Sequence, residues 1–248
     1  MKIITWNVNG VRARHAELQA LMAEECADVL CLQEIKSPPD KIPDLLVTTA
    51  DHWSYWHGAG GYSGVALVVR HSFFTERPVF VHPSFDMENR IVVADLGSAV
   101  VASVYVPNGG KDYDAKITFF SALGAWARET IATGRDVVIC GDLNVAREER
   151  DVHPKLQKPN QIGTRTEERA LLAGMLGAGL VDVGRSLDPD NNELFTWWAP
   201  WRNLRQRNIG WRIDYVLATS NLASRAASVV VRREFGTSDH APVVVTLS

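Results

Sequence analysis

The chain has 248 residues, 46% of them hydrophobic and 22% charged, a composition that excludes a disordered or collagen-like protein. Its net charge of −3 argues against coating nucleic acid by bulk charge while leaving room for a local basic rim. Trp6, Asn7 and Asn9 interrupt any apolar run after Lys2, and no uncharged apolar stretch is long enough to span a bilayer. Neither a secretory signal nor a membrane span is therefore expected.

No linker or low-complexity tract divides the sequence, so residues 1–248 are expected to form one domain. In chain order, "KIITWN" opens as a strand, and residues 12–25 carry Leu18, Leu21 and Met22 at helical spacing. Short apolar strands follow in "DVLCLQE", "GVALVVR", "RIVVADL" and "AVVASVYV", then a helix over 114–132 and a strand in "DVVICGD". A second helix over 167–178 opens with Thr166, Glu167 and Glu168 as cap and first turn. "RIDYVLA", "ASVVVRREF" and "APVVVTL" complete the strands. Near-continuous apolar runs indicate strands covered on both faces. Interspersed helices then favour a sheet-on-sheet core with helices outside. A dinucleotide-binding fold is disfavoured, because no G-x-G-x-x-G follows the first strand.

The three cysteines are an odd number: Cys31 and Cys140 sit in apolar strands and Cys26 ends a helical pattern. They read as buried free thiols in a reducing cytoplasm. No Cys or His falls at zinc-ligand spacing, so a zinc centre is not expected.

Polar residues gather where strands end. "WNVNG" and "GDLNVA" each place two polar side chains two apart after a buried strand, a faint internal echo. Asn-Gly alone signals a turn, but residues i and i+2 also share a strand face. Glu34, Tyr105, Asn108, Asp214, Asp239 and His240 stand at further strand ends. If the strands pack in one sandwich, these ends converge on one rim. Carboxylates and amides without cysteine suit a hard divalent ion such as Mg²⁺ or Mn²⁺. "GYSGVAL" matches a nucleophile elbow only loosely, which favours attack by activated water over a covalent serine intermediate.

"WNVNGVRA", "LQEIK", "GYSGVAL", "YVPN", "GDLN", "NIGWRIDY" and "SDHAPV", in this order, closely resemble the exonuclease III-type AP endonucleases of the endonuclease/exonuclease/phosphatase superfamily. The resemblance implies a DNase I-like, four-layered α/β-sandwich of two packed mixed β-sheets flanked by helices. It implies metal-dependent hydrolysis of DNA phosphodiesters in base excision repair: incision 5′ of abasic sites, 3′→5′ exonuclease action, or 3′-end cleaning. Glu34 would be the principal metal ligand, helped by Asp239 and by Asn7 and Asn9, directly or through water. Asp142 and Asn144 are included with these ligands. Asp142 would activate the attacking water, Asn7 would hold its carboxylate and Asn144 would bind the scissile phosphate. His240 paired with Asp214, together with Tyr105, would stabilise developing charge, and Asn108 would contact the phosphate. Trp211, Trp197 and Ile213 would form the apolar pocket for an extruded abasic sugar. The arginine run over 202–212, including Arg205 and Arg207, would contact the DNA backbone. Double-stranded DNA with abasic sites or blocked 3′ ends is the implied partner, bound by a monomer that needs no protein partner.

Thr164 and Arg165 replace the phenylalanine usual before "TEER", Pro200 replaces a usual tyrosine, and Trp197 is bulkier than in some relatives. These departures lie in substrate loops. The same scaffold could instead hydrolyse RNA, phosphoinositide or sphingomyelin phosphodiesters, a reading that leaves Trp211 and the arginines without work. A DNA-binding module without catalysis would need Glu34, Asp142 or His240 to be missing. His15, His52, His57, His71, His82 and His153 read as surface or hydrogen-bonded residues rather than ligands, and Trp53, Trp56 and Trp126 as packing. Lys36 reads as a support for Glu34 or a phosphate, or as a surface ion pair.

Overall fold

The computed structural model describes residues 1–47 and 49–248. Its elements in chain order are β1 (Lys2–Asn7), α1 (His15–Glu25), β2 (Val29–Gln33), α2 (Asp44–Val47), β3 (His52–His57), β4 (Val65–Arg70), β5 (Val79–Val81), β6 (Ile91–Asp95) and β7 (Ala99–Tyr105). Then come α3 (Tyr113–Ala132), β8 (Asp136–Asp142), α4 (Thr166–Gly177), β9 (Leu180–Asp182), α5 (Val183–Leu187), β10 (Asp214–Thr219), α6 (Ser220–Ala223), β11 (Ala226–Val231) and β12 (Val243–Leu247).

Strand periodicity builds the layers. In β1, Ile3 faces the second sheet while Ile4 and Trp6 face outward, and all three are fully buried. The inner layer joins Val29, Cys31 and Leu67 of the first sheet to Val101, Val138 and Val216 of the second. Outside the first sheet, Leu18 and Leu21 of α1 cover Ile4, Leu30 and Leu32, each buried leucine contributing roughly 1.5–3 kcal/mol. Outside the second, Phe119, Phe120 and Leu123 of α3 and Leu172 of α4 cover Ala102, Val104 and Ile139. Helix, sheet, sheet, helix is the expected four-layered sandwich.

The sheets run β11-β12-β1-β2-β4-β3 and β5-β6-β7-β8-β10-β9. Each contains one parallel pair, β1 with β2 and β7 with β8, among antiparallel neighbours. β1 and β8 thus hold equivalent places, in keeping with the echo of their motifs. The parallel pairs send their C-terminal ends to one edge, and antiparallel β10 and β12 bring their N-terminal ends to it. Just before that edge, Gly141 has φ +150, and a Cβ there would stand 1.9 Å from the Val104 carbonyl oxygen. Only glycine lets β7 and β8 close there.

Local differences from expectation have physical causes. α1 starts at His15, not residue 12, because Gly10 and Val11 donate their N–H groups to Glu34 and Ile35 carbonyls and prolong the pairing of β1 with β2. In α4 the Glu168 carboxylate accepts the Arg165 N–H, so Arg165 takes the cap position and Thr166 is helical. β11 stops at Val231, where a turn closes from the Phe235 N–H to the Arg232 carbonyl. β3, β5 and β9, three edge strands, escape a search for apolar runs because their residues are half-buried, aromatic or few. Cys31 and Cys140 are buried, whereas Cys26 is exposed. Among the described residues no helix is long and apolar enough to cross a membrane.

Candidate active site

Six strand ends meet at the shared edge. Asn7 closes β1, Glu34 follows β2, Tyr105 closes β7, Asp142 closes β8, Asp214 opens β10, and Asp239 and His240 precede β12. Glu34 and Asn144 leave their strands with left-handed φ of 49 and 51, and Asn9 has φ 45. Such backbone is uncommon for side-chain-bearing residues and clusters at functional sites.

Asn7 ties the two sheets together. Its Nδ2 donates to Glu34 Oε1 at 2.9 Å and to Asp142 Oδ2 at 3.0 Å, while its Oδ1 accepts the Asn9 N–H at 3.0 Å. Asn9 Nδ2 donates to Asp239 Oδ1 at 2.8 Å, and Lys36 Nζ bridges Asn9 Oδ1 and Glu34 Oε2, both at 2.6 Å. The other oxygen of Asp239 accepts Trp197 Nε1–H at 3.0 Å. The Asn144 backbone N–H donates to Asp142 Oδ1 at 2.9 Å, and its Nδ2 donates to the Val106 carbonyl. His240 Nδ1 lies 3.0 Å from Asp214 Oδ2, which leaves Nε2 3.8 Å from Asp142 Oδ2.

These contacts set the charges. Burial, with the neighbouring Asp214 and Glu34 carboxylates, pushes Asp142 up to about 7 against the pull of His240. Burial disfavours the His240 imidazolium, yet Asp214 and Asp142 hold its pKa up at about 10. Burial also works against the Glu34 carboxylate, but hydrogen bonds from Asn7 and Lys36 bring it below its ordinary value. Asp239 is likewise lowered, burial being outweighed by His240, Trp197 and Asn9. Burial, then the Glu34 and Asp142 charges, keeps the Tyr105 phenol protonated far above neutral pH.

A cavity of about 400 Å³ opens over this cluster. Its polar wall is Glu34, Tyr105, Asn108, Asp142, Asn144, Asp239 and His240, and its apolar wall is Trp197, Trp211 and Ile213. The two tryptophans meet edge to face, with centroids 6.2 Å apart. Glu34, Asp142 and His240 each offer an atom within 4.8 Å of the others. A buried set of carboxylates that raises one of its own members suits a hard divalent cation. Glu34 and Asp142, with the nearby Asp239, could hold it.

A model described as the Endonuclease/Exonuclease/phosphatase family matches residues 4–240. The chain belongs to that family. It is 34% identical to an exodeoxyribonuclease of Bacillus subtilis (strain 168), with all of both chains covered. Among solved structures, a 3′ phosphatase from Neisseria, NExo, bound to a product DNA hairpin, is 30% identical with a TM-score of 0.91, covering 100% of this chain and 99% of that one. An AP endonuclease from Archaeoglobus fulgidus is 28% identical with a TM-score of 0.89 over the same shares.

Several other members of the expected site have hydrogen-bond partners of their own. Asn7 gives its amide donors to two carboxylates and its oxygen to a backbone N–H, so it orients both Glu34 and Asp142. Asn9 is likewise engaged with Asp239 and Lys36, whereas the Asn144 side chain donates only to the Val106 carbonyl, its contact with Asp142 being made by the backbone N–H. Arg205 donates to the carbonyls of Arg233, Phe235 and Ser238, which makes it a staple of the loop before His240. Arg212 is buried against Asp151 and Asp182. Only Arg202 and Arg207 of the run, beside the exposed Trp201, present themselves to solvent. Thr196, whose hydroxyl bonds Asp214, has no signal in the sequence. Gln161, Ile162 and Gly163 line the cavity from a segment singled out only for its neighbours Thr164 and Arg165. Arg90, stacked 4.8 Å over the Tyr105 ring, was likewise unmarked.

Proposed function

We propose that residues 1–248 act as one catalytic domain that hydrolyses phosphodiesters of duplex DNA with a divalent cation, Mg²⁺ or Mn²⁺. The substrates are abasic sites, cut on the 5′ side, and blocked or ordinary 3′ ends, as in base excision repair. One observation carries the reading: a carboxylate and imidazole cluster shares its cavity with an apolar wall of Trp197, Trp211 and Ile213. A small-headgroup phosphodiesterase has no use for that wall, whereas an extruded sugar without its base does. DNA is the partner, no protein partner is required, and the cytoplasm is the compartment.

In-line attack on a phosphodiester concentrates negative charge on the phosphate oxygens and the leaving 3′ oxygen. Asp142, held between the Asn7 amide and the Asn144 N–H and facing the cavity, orients and activates the attacking water. His240 stays protonated and directs Nε2–H at the phosphate, while Asp214 fixes Nδ1 and with it the ring. Protonated Tyr105 donates a second hydrogen bond, and Asn108 reaches the same space from the cavity wall. Glu34, with Asp142 and Asp239, would hold the cation, which would supply positive charge at the phosphate. The test is a panel of four labelled substrates: a duplex with one abasic site, a 3′-phosphate duplex, an undamaged duplex and a small aryl phosphodiester. Preference for the DNA substrates supports the reading, and turnover of the small diester alone overturns it.

A further inference from the structure

On one side of the sandwich the sheet edges are the strands β3 and β5. His57 is the last residue of β3, His82 directly follows β5, and Asp86 lies in the loop beyond. Each offers one metal-binding atom, and these atoms lie within 4.8 Å of one another. His57 Nε2 is 2.6 Å from Asp86 Oδ2, and the two imidazoles are stacked with centroids 3.8 Å apart. Spacing along the chain gives no hint of this group, because sheet packing makes it.

We propose that His57, His82 and Asp86 form a second metal site, separate from the catalytic cluster, that takes a divalent transition-metal ion of the Zn²⁺ class and clasps the edge strands of the two sheets. Two imidazoles and a carboxylate favour Zn²⁺, Ni²⁺ or Cu²⁺ over Mg²⁺, and three protein ligands leave one position for water.

The ligands are prepared for this. Asp86 Oδ1 accepts the N–H groups of Arg90 at 2.8 Å and Ile91 at 3.2 Å, which fixes the carboxylate with Oδ2 turned to the histidines. The Tyr55 hydroxyl lies 2.9 Å from His82 Nε2, a contact that gives way when the ring turns to an ion. Lone pairs of stacked rings do not converge, so capture of the ion requires the His82 ring to turn, which its exposed position permits. The Arg90 N–H bonds Asp86 and the Arg90 guanidinium lies over Tyr105, so the ion would also stiffen the segment behind that phenol.

The experiment titrates Co²⁺, as a visible-absorbing probe, into protein kept in excess Mg²⁺. Glu34→Gln removes the catalytic ligand, and His82→Gln and His57→Gln are each added to it. Glu34→Gln is expected to retain one Co²⁺ equivalent, weakened at least about tenfold by either histidine substitution. Zn²⁺ should raise the melting temperature of Glu34→Gln but not of the double variants, whose metal-free melts report that they fold. Absence of a Co²⁺ equivalent in Glu34→Gln, or equal affinity in the double variants, overturns the site and leaves only a His–Asp ion pair between the sheets. The readout is independent of nuclease activity.

Discussion

Replacing Arg212 with methionine removes the cation at the centre of a buried charge network. The guanidinium is 4% exposed and reaches Asp151 through Nε at 2.8 Å and Nη2 at 3.1 Å. It reaches Asp182 through Nη1 at 3.0 Å and Nη2 at 2.8 Å, and its Cζ lies 4.6 Å over the Tyr215 ring. Without it, Asp151 keeps Arg185 at 2.7 Å, while Asp182 keeps the Arg185 N–H at 3.2 Å and, as a charged partner, the half-exposed Arg147 at 3.5 Å. Breaking a buried pair by removing one partner costs about 3–5 kcal/mol, and methionine retains most of the volume. At about 2–4 °C per kcal/mol for a chain of this size, Tm should fall by roughly 6–20 °C. Thermal unfolding followed by circular dichroism measures the fall, and duplex binding at several salt concentrations measures the phosphate contacts. A residue touching phosphate would leave Tm in place and reduce the slope of log K against log salt by about 0.9. That second outcome would refute the structural role assigned to Arg212.

Arg205→Gln releases the carbonyls of Arg233, Phe235 and Ser238. It should lower kcat, by up to on the order of 10²-fold through displacement of His240, with no change in the salt slope of DNA binding. Trp197→Phe removes the 3.0 Å bond to Asp239, a charged-group hydrogen bond of about 1.5–3 kcal/mol. A Mg²⁺ titration of the rate should show half-saturation at higher Mg²⁺, and the roomier pocket should raise abasic incision relative to 3′-end release. Burial raises the Asp151 pKa, but Arg212 and Arg185 bring it below the ordinary carboxylate value. Its stabilising contribution is therefore present above the unfolded carboxyl pKa of about 4 and is lost as pH falls through the lower folded value. Urea midpoints should drop below about pH 4 in the wild type and flatten in Asp151→Asn.

Much of this was legible in the sequence because the site lies where apolar runs stop. "KIITWN", "DVVICGD" and "APVVVTL" declare buried strands, and the polar residues beside them, Asn7, Asp142 and His240, share one edge once parallel and antiparallel strands alternate as in the sheets observed. Spacing could not tell a ligand from the residue that holds it. Asn7 and Asn9 look alike in sequence to ligating amides, and only the fold brings out their hydrogen bonds to Glu34, Asp142 and Asp239. The arginine run misled for a related reason. Its charge is plain, but its counter-charges, Asp151 and Asp182, lie far away along the chain. The pairing of His57 with Asp86 was hidden by the same long-range closure of two sheet edges.

The most direct test of the account uses a labelled duplex with one synthetic abasic site, incubated with wild type and Asp142→Asn, in Mg²⁺ and in chelator. The account predicts a single cut on the 5′ side of the lesion in Mg²⁺ and none in chelator. In Asp142→Asn the rate should fall by about 10²- to 10⁴-fold, with a cooperative melt retained. Cutting that persists in chelator, or at full rate in Asp142→Asn, would contradict the assignment of this cluster as a metal-dependent active site.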